Sequence, residues 1–240
     1  LPAAPTSKVL QGGYLPQLTE TGRRHPVTAD LKGSGTSDKL PDWGRWFRHI
    51  EAEVNQGVAV MTGANDLPLL ILDRVGEGRV AQMMSDHAWL WTRGFEGGGP
   101  QAELLRRMSH WLMKEPELEE EDLRAAADRG RLTITRRSLS SKLAPVTVTL
   151  PNGQQQTVSL KPSSGGKATA EIAADEPGIY RIRDGLRSTL AVAGNLNSVE
   201  FAQVHATTSV IGPVSKSSGG GVFWLSDGRP TAAGIPSLRR

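Results

Sequence analysis

The second half of this chain is a succession of short strands, and that pattern restricts the fold more than any other feature. Seven apolar or alternating segments follow one another within about 75 residues, separated by turn sequences such as PNG, DEPG and RDG. No helical periodicity interrupts them. Short strands spaced in this way are typical of two antiparallel sheets packed face to face, so the sequence predicts a small antiparallel β-sandwich.

The first half mixes strand patterns with one helical pattern. Residues 1–45 are rich in Pro, Gly, Ser and Thr and are predicted to be mostly loop, with one short helix or strand. Short apolar runs follow, among them LLILDRVGEGRVAQMM, which predicts a β-hairpin with its turn near Gly76 to Gly78. Between Pro100 and Pro116 apolar residues recur at a spacing of 3.6, which predicts one amphipathic helix. They are Leu104, Leu105, Met108, Trp111 and Leu112.

The acidic sequence EPELEEED, residues 115–122, follows the predicted helix. Its carboxylates are consecutive and lack the spacing of a calcium-binding loop. A run of like charges is usually hydrated, because its members repel one another. We therefore expect a solvated linker between two domains.

Composition and charge exclude several kinds of site. The chain has no cysteine, which excludes disulfides, Cys-ligated zinc and a Cys nucleophile within it. Its 28 basic and 25 acidic residues nearly balance and its arginine pairs are scattered, so no nucleic-acid partner is predicted. The five histidines are isolated in sequence, so we predict no metal site and no cofactor. No apolar run approaches the ~18 residues that span a bilayer.

The stretch SDHAWLWTRGFEGGGP, residues 85–100, contains the candidates for catalysis. His87 has the chemistry of a general base near neutral pH, and Asp86 or Glu96 would orient it. The alternative is a histidine at a strand end, where Asp86 and His87 point to opposite faces. We favour the structural alternative, so no catalytic residue is predicted and His87 and Glu96 remain weak candidates.

Five tryptophans lie in the first half of the chain: Trp43, Trp46, Trp89, Trp91 and Trp111. Clustered aromatic rings stack sugars or nucleobases in some proteins. A core is the more common use, because each indole removes on the order of 200 Å² of surface from water. We predict that Asp86, Trp89 and Trp91 close the strand onto the helix that carries Trp111.

The same region resembles a known family. The sequence PLLILDRVGEGRVAQMMSDHAWLWTRGFEGGGPQAELLRRMSHWLMK is similar to the end of a degenerate class I glutamine amidotransferase-like domain. Such domains occur in large bacterial inner-membrane proteins beside a von Willebrand factor A-like or aerotolerance-type region. The resemblance implies a partial flavodoxin-like α/β layer over residues 1–117. The matching positions are Gly76, Gly78, Arg79, Val80, Asp86, Trp89, Trp91, Trp111 and Leu112.

The sequence departs from the active members of that family. An active glutamine amidotransferase has a nucleophilic Cys and a His-x-Glu motif, whereas this chain has no Cys, and His87 is followed by Ala88 and Trp89. Without the carboxylate, nothing holds the imidazole in its working tautomer. The resemblance therefore implies the fold of such a domain without its activity.

These observations predict an α/β domain followed by an all-β sandwich. Residues 1–117 would form the C-terminal part of an amidotransferase-like domain, residues 118–195 an immunoglobulin-like (Ig-like) sandwich, and residues 196–240 a C-terminal α/β segment or tail. The expected function is non-catalytic: protein interaction or assembly by a soluble portion of a membrane-anchored protein. The alternative is a hydrolase or a carbohydrate- or amide-binding domain with a cleft near His87.

The resemblance also implies a location, the periplasmic face of the inner membrane. Contact with the membrane would come only through segments outside this chain. The sequence identifies no protein partner and leaves the oligomeric state open.

Overall fold

The computed structural model describes residues 1–185, 187–194 and 207–222. The chain divides into two compact units, Leu1–Gly194 and Asn195–Arg240. The first unit is built mainly of antiparallel strands. Its first six strands are β1 (Ala3–Tyr14), β2 (Gln17–Leu18), β3 (Trp46–Val54), β4 (Val58–Thr62), β5 (Pro68–Val75) and β6 (Gly78–Met83).

Two sheets form from these strands. Strand β1 pairs with β3, and a four-stranded sheet has the order β2-β4-β5-β6. Strands β5 and β6 form the predicted hairpin, which turns through Gly76 at a φ of 56°. Residues 69–72 of β5 are all buried, which explains why this strand reads as a continuous apolar run. The predicted hairpin is thus confirmed.

Two helices cover this region. Helix α1 spans Trp89–Thr92, and helix α2 spans Gln101–Leu112, which confirms the predicted amphipathic helix. Helix α2 buries Leu104 and Trp111 in the core. Its charged face carries Glu103, which pairs with arginines one turn further along the helix.

The predicted flavodoxin-like α/β layer is wrong. Such a layer needs parallel strands, and parallel neighbours need a crossover of a dozen or more residues, usually a helix. Here short turns join β4 to β5 and β5 to β6, so neighbouring strands run antiparallel. Helix α2 is the one helix longer than a single turn in Leu1–Gly194, as far as that unit is described. Residues 1–45 are mostly without helix or strand, as predicted, but β1 is longer than the one short element that the sequence indicates.

The second half of the unit is a β-sandwich, as the strand spacing predicts. One sheet has the order β11-β12-β8-β7 and the other the order β10-β9-β13-β14. This arrangement of hairpins across two sheets is the one found in Ig-type sandwiches. The strands are β7 (Asp122–Asp128), β8 (Arg131–Arg137), β9 (Val146–Thr149), β10 (Gln155–Val158), β11 (Lys161–Pro162), β12 (Lys167–Ala173), β13 (Gly178–Asp184) and β14 (Arg187–Ala193).

The core of the sandwich is aliphatic and surrounds one tyrosine. Leu132, Ile134, Val148 and Ile182 alternate with outward residues and are fully buried. Tyr180, near the start of β13, is buried as well, and its hydroxyl donates to the Glu176 carbonyl at 3.0 Å. A tyrosine bonded to the backbone just upstream of its own strand fixes the corner between the two sheets.

Part of the second unit is described. It contains helix α3 (Ile211–Ser217). The predicted C-terminal α/β segment, residues 196–240, otherwise falls largely outside the described residues. No helix in the described part of the chain is long and apolar enough to cross a membrane.

Candidate functional site

The two weak catalytic candidates are each engaged in a separate structural contact. His87 Nδ1 accepts a hydrogen bond from the Phe47 amide at 3.1 Å, and its Nε2 lies 3.9 Å from an Asp86 carboxylate oxygen. Asp86 in turn pairs with Arg48 at 2.8 Å. His87 therefore anchors the turn before helix α1 to strand β3.

Glu96 belongs to a different contact. Both of its carboxylate oxygens accept from the Arg45 guanidinium, and one also accepts from the Arg45 amide at 3.1 Å. These hydrogen bonds hold the pKa of Glu96 at about 2, so this carboxylate stays ionised at neutral pH. No hydrogen bond or ion pair joins His87 to Glu96 among the described residues.

The five tryptophans of the first half form a core, with one exception. The rings of Trp43 and Trp46 lie 5.1 and 4.8 Å from that of Trp91, centroid to centroid, and all three are buried. Trp111 is buried on helix α2, whereas Trp89 is 53% exposed. The predicted core is confirmed for the four buried indoles, and the predicted role of Trp89 in closing it is wrong.

Three glycines, Gly44 and the pair Gly98 and Gly99 after Glu96, make room for this core. A Cβ on Gly99 would lie 2.4 Å from the Trp91 ring, and a Cβ on Gly44 would lie 2.2 Å from the Phe95 carbonyl. Gly98 has a φ of 75°, which favours glycine. The glycines thus allow the backbone to pass directly over the Trp91 ring.

The prediction of a solvated acidic linker is wrong for Glu119, Glu120 and Glu121, which we call the acidic joint. Glu120 is almost fully buried, and the Trp111 Nε1 donates to its Oε1 at 2.8 Å. Arg74 pairs with both Glu119 and Glu120. Glu120 is therefore a hydrogen-bonded part of the interior, and Glu119 and Glu121 are half-buried and ion-paired.

The acidic joint links both halves of Leu1–Gly194. On one side, the buried side chain of Arg79 pairs with Glu119 and stacks on the Trp111 ring, with its guanidinium carbon 5.0 Å from the centroid. On the other side, Glu121 accepts from Arg136 and from the Ser138 hydroxyl, each at 2.5 Å. Arg136 also pairs with Asp184 of strand β13. Sequence reasoning missed this network because its arginines are distant in sequence from the glutamates.

Glu120 of the acidic joint forms a buried pair with His25. The His25 Nδ1 accepts from the Val27 amide, which leaves Nε2 to face Glu120 Oε1 at 3.4 Å. Burial lowers the pKa of His25 below its usual value. Burial acts to raise the pKa of Glu120, but hydrogen bonds from His25, Arg74 and Trp111 outweigh it and hold that pKa well below the usual range. A neutral histidine beside an ionised carboxylate is the result.

A cleft of about 470 Å³ lies between helix α2 and the sheet that contains β7, β8 and β12. It is lined by five basic residues, which are Arg106, Arg107, Arg124, Arg137 and Lys167, and by five acidic residues, which are Asp30, Glu103, Glu115, Glu117 and Asp122. Several of these charges form ion pairs with residues two to five positions away in the sequence. The lining thus has no excess of either sign with which to select a charged ligand.

The outward side chains of the last two strands, β13 and β14, form a surface with three exposed aliphatic residues. We call it the β13–β14 face. Its aliphatic members Ile179, Leu190 and Val192 are 50%, 56% and 54% exposed. Ile179 lies directly opposite Val192 in the ladder. The other members are Arg181, Arg183 and Ser188.

A signal for this face was present in the sequence. The segment STLAVAG is apolar at consecutive positions, whereas a strand with one hydrated face alternates apolar and polar residues. In the structure Ala191 and Ala193 point into the core, and Leu190 and Val192 point out.

Among the described residues, no group of three or more His, Asp or Glu side chains is arranged to hold a metal ion.

Comparison with known proteins adds little to this geometry. No protein-family model and no curated protein matches the chain. A crystal structure of native alpha-2-macroglobulin from Escherichia coli, spanning domains NIE-MG1, aligns with 79% of this chain and 86% of its own at 13% identity. The TM-score of that alignment is 0.18, which does not indicate a shared fold.

Proposed function

We propose that this chain is a non-catalytic portion of a membrane-anchored protein and that it acts in protein contact or assembly through its sandwich. One observation carries the proposal, which is the row of exposed aliphatic side chains on the β13–β14 face. Soluble domains seldom leave adjacent large aliphatic residues in water on a regular sheet, and such patches mark interaction surfaces. The sheet beneath is held by a buried aliphatic core and presents the patch without rearrangement.

The roles of the catalytic candidates agree with this proposal. His87 accepts a backbone hydrogen bond, Glu96 is held by Arg45, and the His25–Glu120 pair is bonded into the acidic joint. General acid–base chemistry needs groups that are free to exchange a proton with a substrate about 3 Å away. Each of these groups instead stabilises the connection between two elements.

The membrane anchoring and the periplasmic location are proposed from the sequence resemblance. That resemblance connects the chain to inner-membrane proteins with a degenerate amidotransferase-like domain. The antiparallel sheets of the first half, joined to the sandwich through the acidic joint, would serve as a spacer that presents the β13–β14 face to a partner.

Site-specific photo-crosslinking in cells of the source organism tests this proposal. A photoreactive p-benzoylphenylalanine in place of Leu190 should give a discrete protein adduct, because it lies on the β13–β14 face. The same residue in place of Thr133, on the outward side of β8 in the opposite sheet, is the matched control and should give none. Equal labelling from both positions, or an enzymatic turnover that His87→Ala abolishes, would contradict the proposal.

A further inference from the structure

The two outer faces of the sandwich differ in chemistry although they share one architecture. The outside of the β11-β12-β8-β7 sheet carries both basic and acidic residues, some of which pair with each other. Arg131 lies 3.6 Å from Glu171, and Arg124 lies 2.5 Å from Asp122. A surface of this kind is satisfied by its own ion pairs and by water.

The β13–β14 face has the opposite character. Its charges are those of Arg181 and Arg183, and no carboxylate lies among its outward residues. Within the described residues, neither guanidinium takes part in an ion pair, whereas the outward arginines of the opposite sheet include two that do. The neighbouring strand β9 contributes the outward side chains of Thr147 and Thr149, which are uncharged.

The arrangement of these residues is regular. Arg181 lies directly opposite Leu190, and Arg183 lies directly opposite Ser188. The aliphatic residues Ile179, Val192 and Leu190 therefore occupy one end of the two strands, with the arginines beside them. Such a surface can bury apolar side chains of a partner, and its positive charges favour a partner that is negatively charged.

We propose that the β13–β14 face binds a protein segment that presents carboxylates beside apolar side chains. This inference rests on the proposed function and specifies its partner. Burial of Ile179, Leu190 and Val192 supplies the apolar contact, and Arg181 and Arg183 each match a carboxylate in the bidentate geometry that a guanidinium favours.

A second copy of this chain is a poor occupant of the same face. A two-fold dimer uses the same patch on both subunits, so it would bring the guanidinium groups of two copies of Arg181 and Arg183 into one interface. Juxtaposed like charges oppose association, and this face has no carboxylate to compensate for them. Charge complementarity thus selects a different, acidic partner.

Two labelled ten-residue peptides test the inference with the full chain, by fluorescence anisotropy. One alternates valine with glutamate, and the other alternates valine with lysine. We expect the glutamate peptide to bind at least about ten-fold more tightly. The double variant Arg181→Glu/Arg183→Glu should reverse that preference, and Leu190→Ser should weaken binding of the glutamate peptide.

The controls use the opposite sheet and a lipid surface. Arg131→Glu changes an exposed arginine outside the β13–β14 face and should leave the peptide preference unchanged. Circular dichroism of each variant verifies that the fold is retained. Vesicles of phosphatidylglycerol, which are anionic and apolar, should bind more weakly than the glutamate peptide.

Several outcomes would overturn the inference. Equal binding of the two peptides, binding of neither, or a preference that survives the charge reversal would exclude an acidic partner at this face. Tight vesicle binding that Leu190→Ser abolishes would assign the face to a lipid surface. An adduct from position 190 that forms within the chain itself would assign it to an internal contact. If position 190 gives a protein adduct but the charge reversal has no effect, the proposed function stands and only this inference fails.

Discussion

Trp111 Nε1 donates a 2.8 Å hydrogen bond to Glu120 Oε1, and this bond fixes the acidic joint to helix α2. Both side chains are buried, and the Arg79 guanidinium covers the other side of the indole. A buried carboxylate is tolerated when donors and positive charges surround it. The position of the chain between α2 and β7 therefore depends on this carboxylate being ionised.

We expect Glu120→Gln to lower the free energy of unfolding by about 2 kcal/mol, because a neutral amide replaces a buried carboxylate that accepts from Trp111 and pairs with Arg74. Urea unfolding followed by circular dichroism measures the change. Glu117→Gln is the matched control, since Glu117 is exposed and its side chain forms no ion pair in the described part of the chain. Equal losses in the two variants would show that the joint contributes no more than surface charge.

Stability should fall in acid, and the joint should account for part of the fall. The folded pKa of Glu120 is depressed, so its contribution is complete above its unfolded pKa of about 4.3 and is lost as pH falls toward the folded value. The stability difference between the wild type and Glu120→Gln should thus be large near pH 7 and should shrink near pH 3. A difference that is constant with pH would contradict an ionised Glu120.

His25 should add to the same dependence at a higher pH. Burial lowers its folded pKa, so the neutral form stabilises the protein above the unfolded pKa of about 6.5, and this contribution is lost as pH falls toward the folded value. Titration of the His25 ring by nuclear magnetic resonance should give a pKa below about 6.5, the ordinary value for histidine. A value above about 6.5 would mean that Glu120 holds an imidazolium instead.

We expect Gly99→Ala to destabilise the protein by about 2 kcal/mol, because the new Cβ would meet the Trp91 ring in a packed core. Thermal unfolding measures this. Gly78→Ala is the control, because its Cβ meets one carbonyl oxygen, that of Val75, at 3.3 Å. If both variants unfold at the same temperature, the close approach of Gly99 to Trp91 does not limit stability.

Acrylamide quenching should separate Trp89 from the other indoles of the first half. In a Trp224→Phe background, Trp89→Phe should remove most of the quenchable fluorescence, because Trp89 is half exposed and Trp43, Trp46, Trp91 and Trp111 are buried. Trp46→Phe is the comparison and should remove emission that acrylamide does not quench.

Sugars, nucleotides and amides should leave the tryptophan emission spectrum of the protein unchanged. A response to one ligand class would favour a binding cleft near His87.

The sequence was most informative where structure depends on neighbours along the chain. Alternation in QQTVSL and GIYRIRD predicted strands, and the spacing of Leu104, Met108 and Trp111 predicted helix α2. The prediction for the acidic run was wrong because the sequence shows that these residues are acidic but not which basic residues pair with them in the fold. Arg74 is 46 residues from Glu120, and His25 is further still.

The sequence by itself determined the strand-rich second half, the β5–β6 hairpin and one amphipathic helix, because periodicity and turn chemistry act over a few residues. Only the tertiary structure decided that Glu120 is buried and that Leu190 and Val192 face outward together. It also decided that the first half is antiparallel. These features depend on which distant segments meet. Coulomb partners are properties of the packed chain, and no local pattern encodes them. The segment STLAVAG indicated a strand that is apolar on both sides, but not which of its side chains point outward.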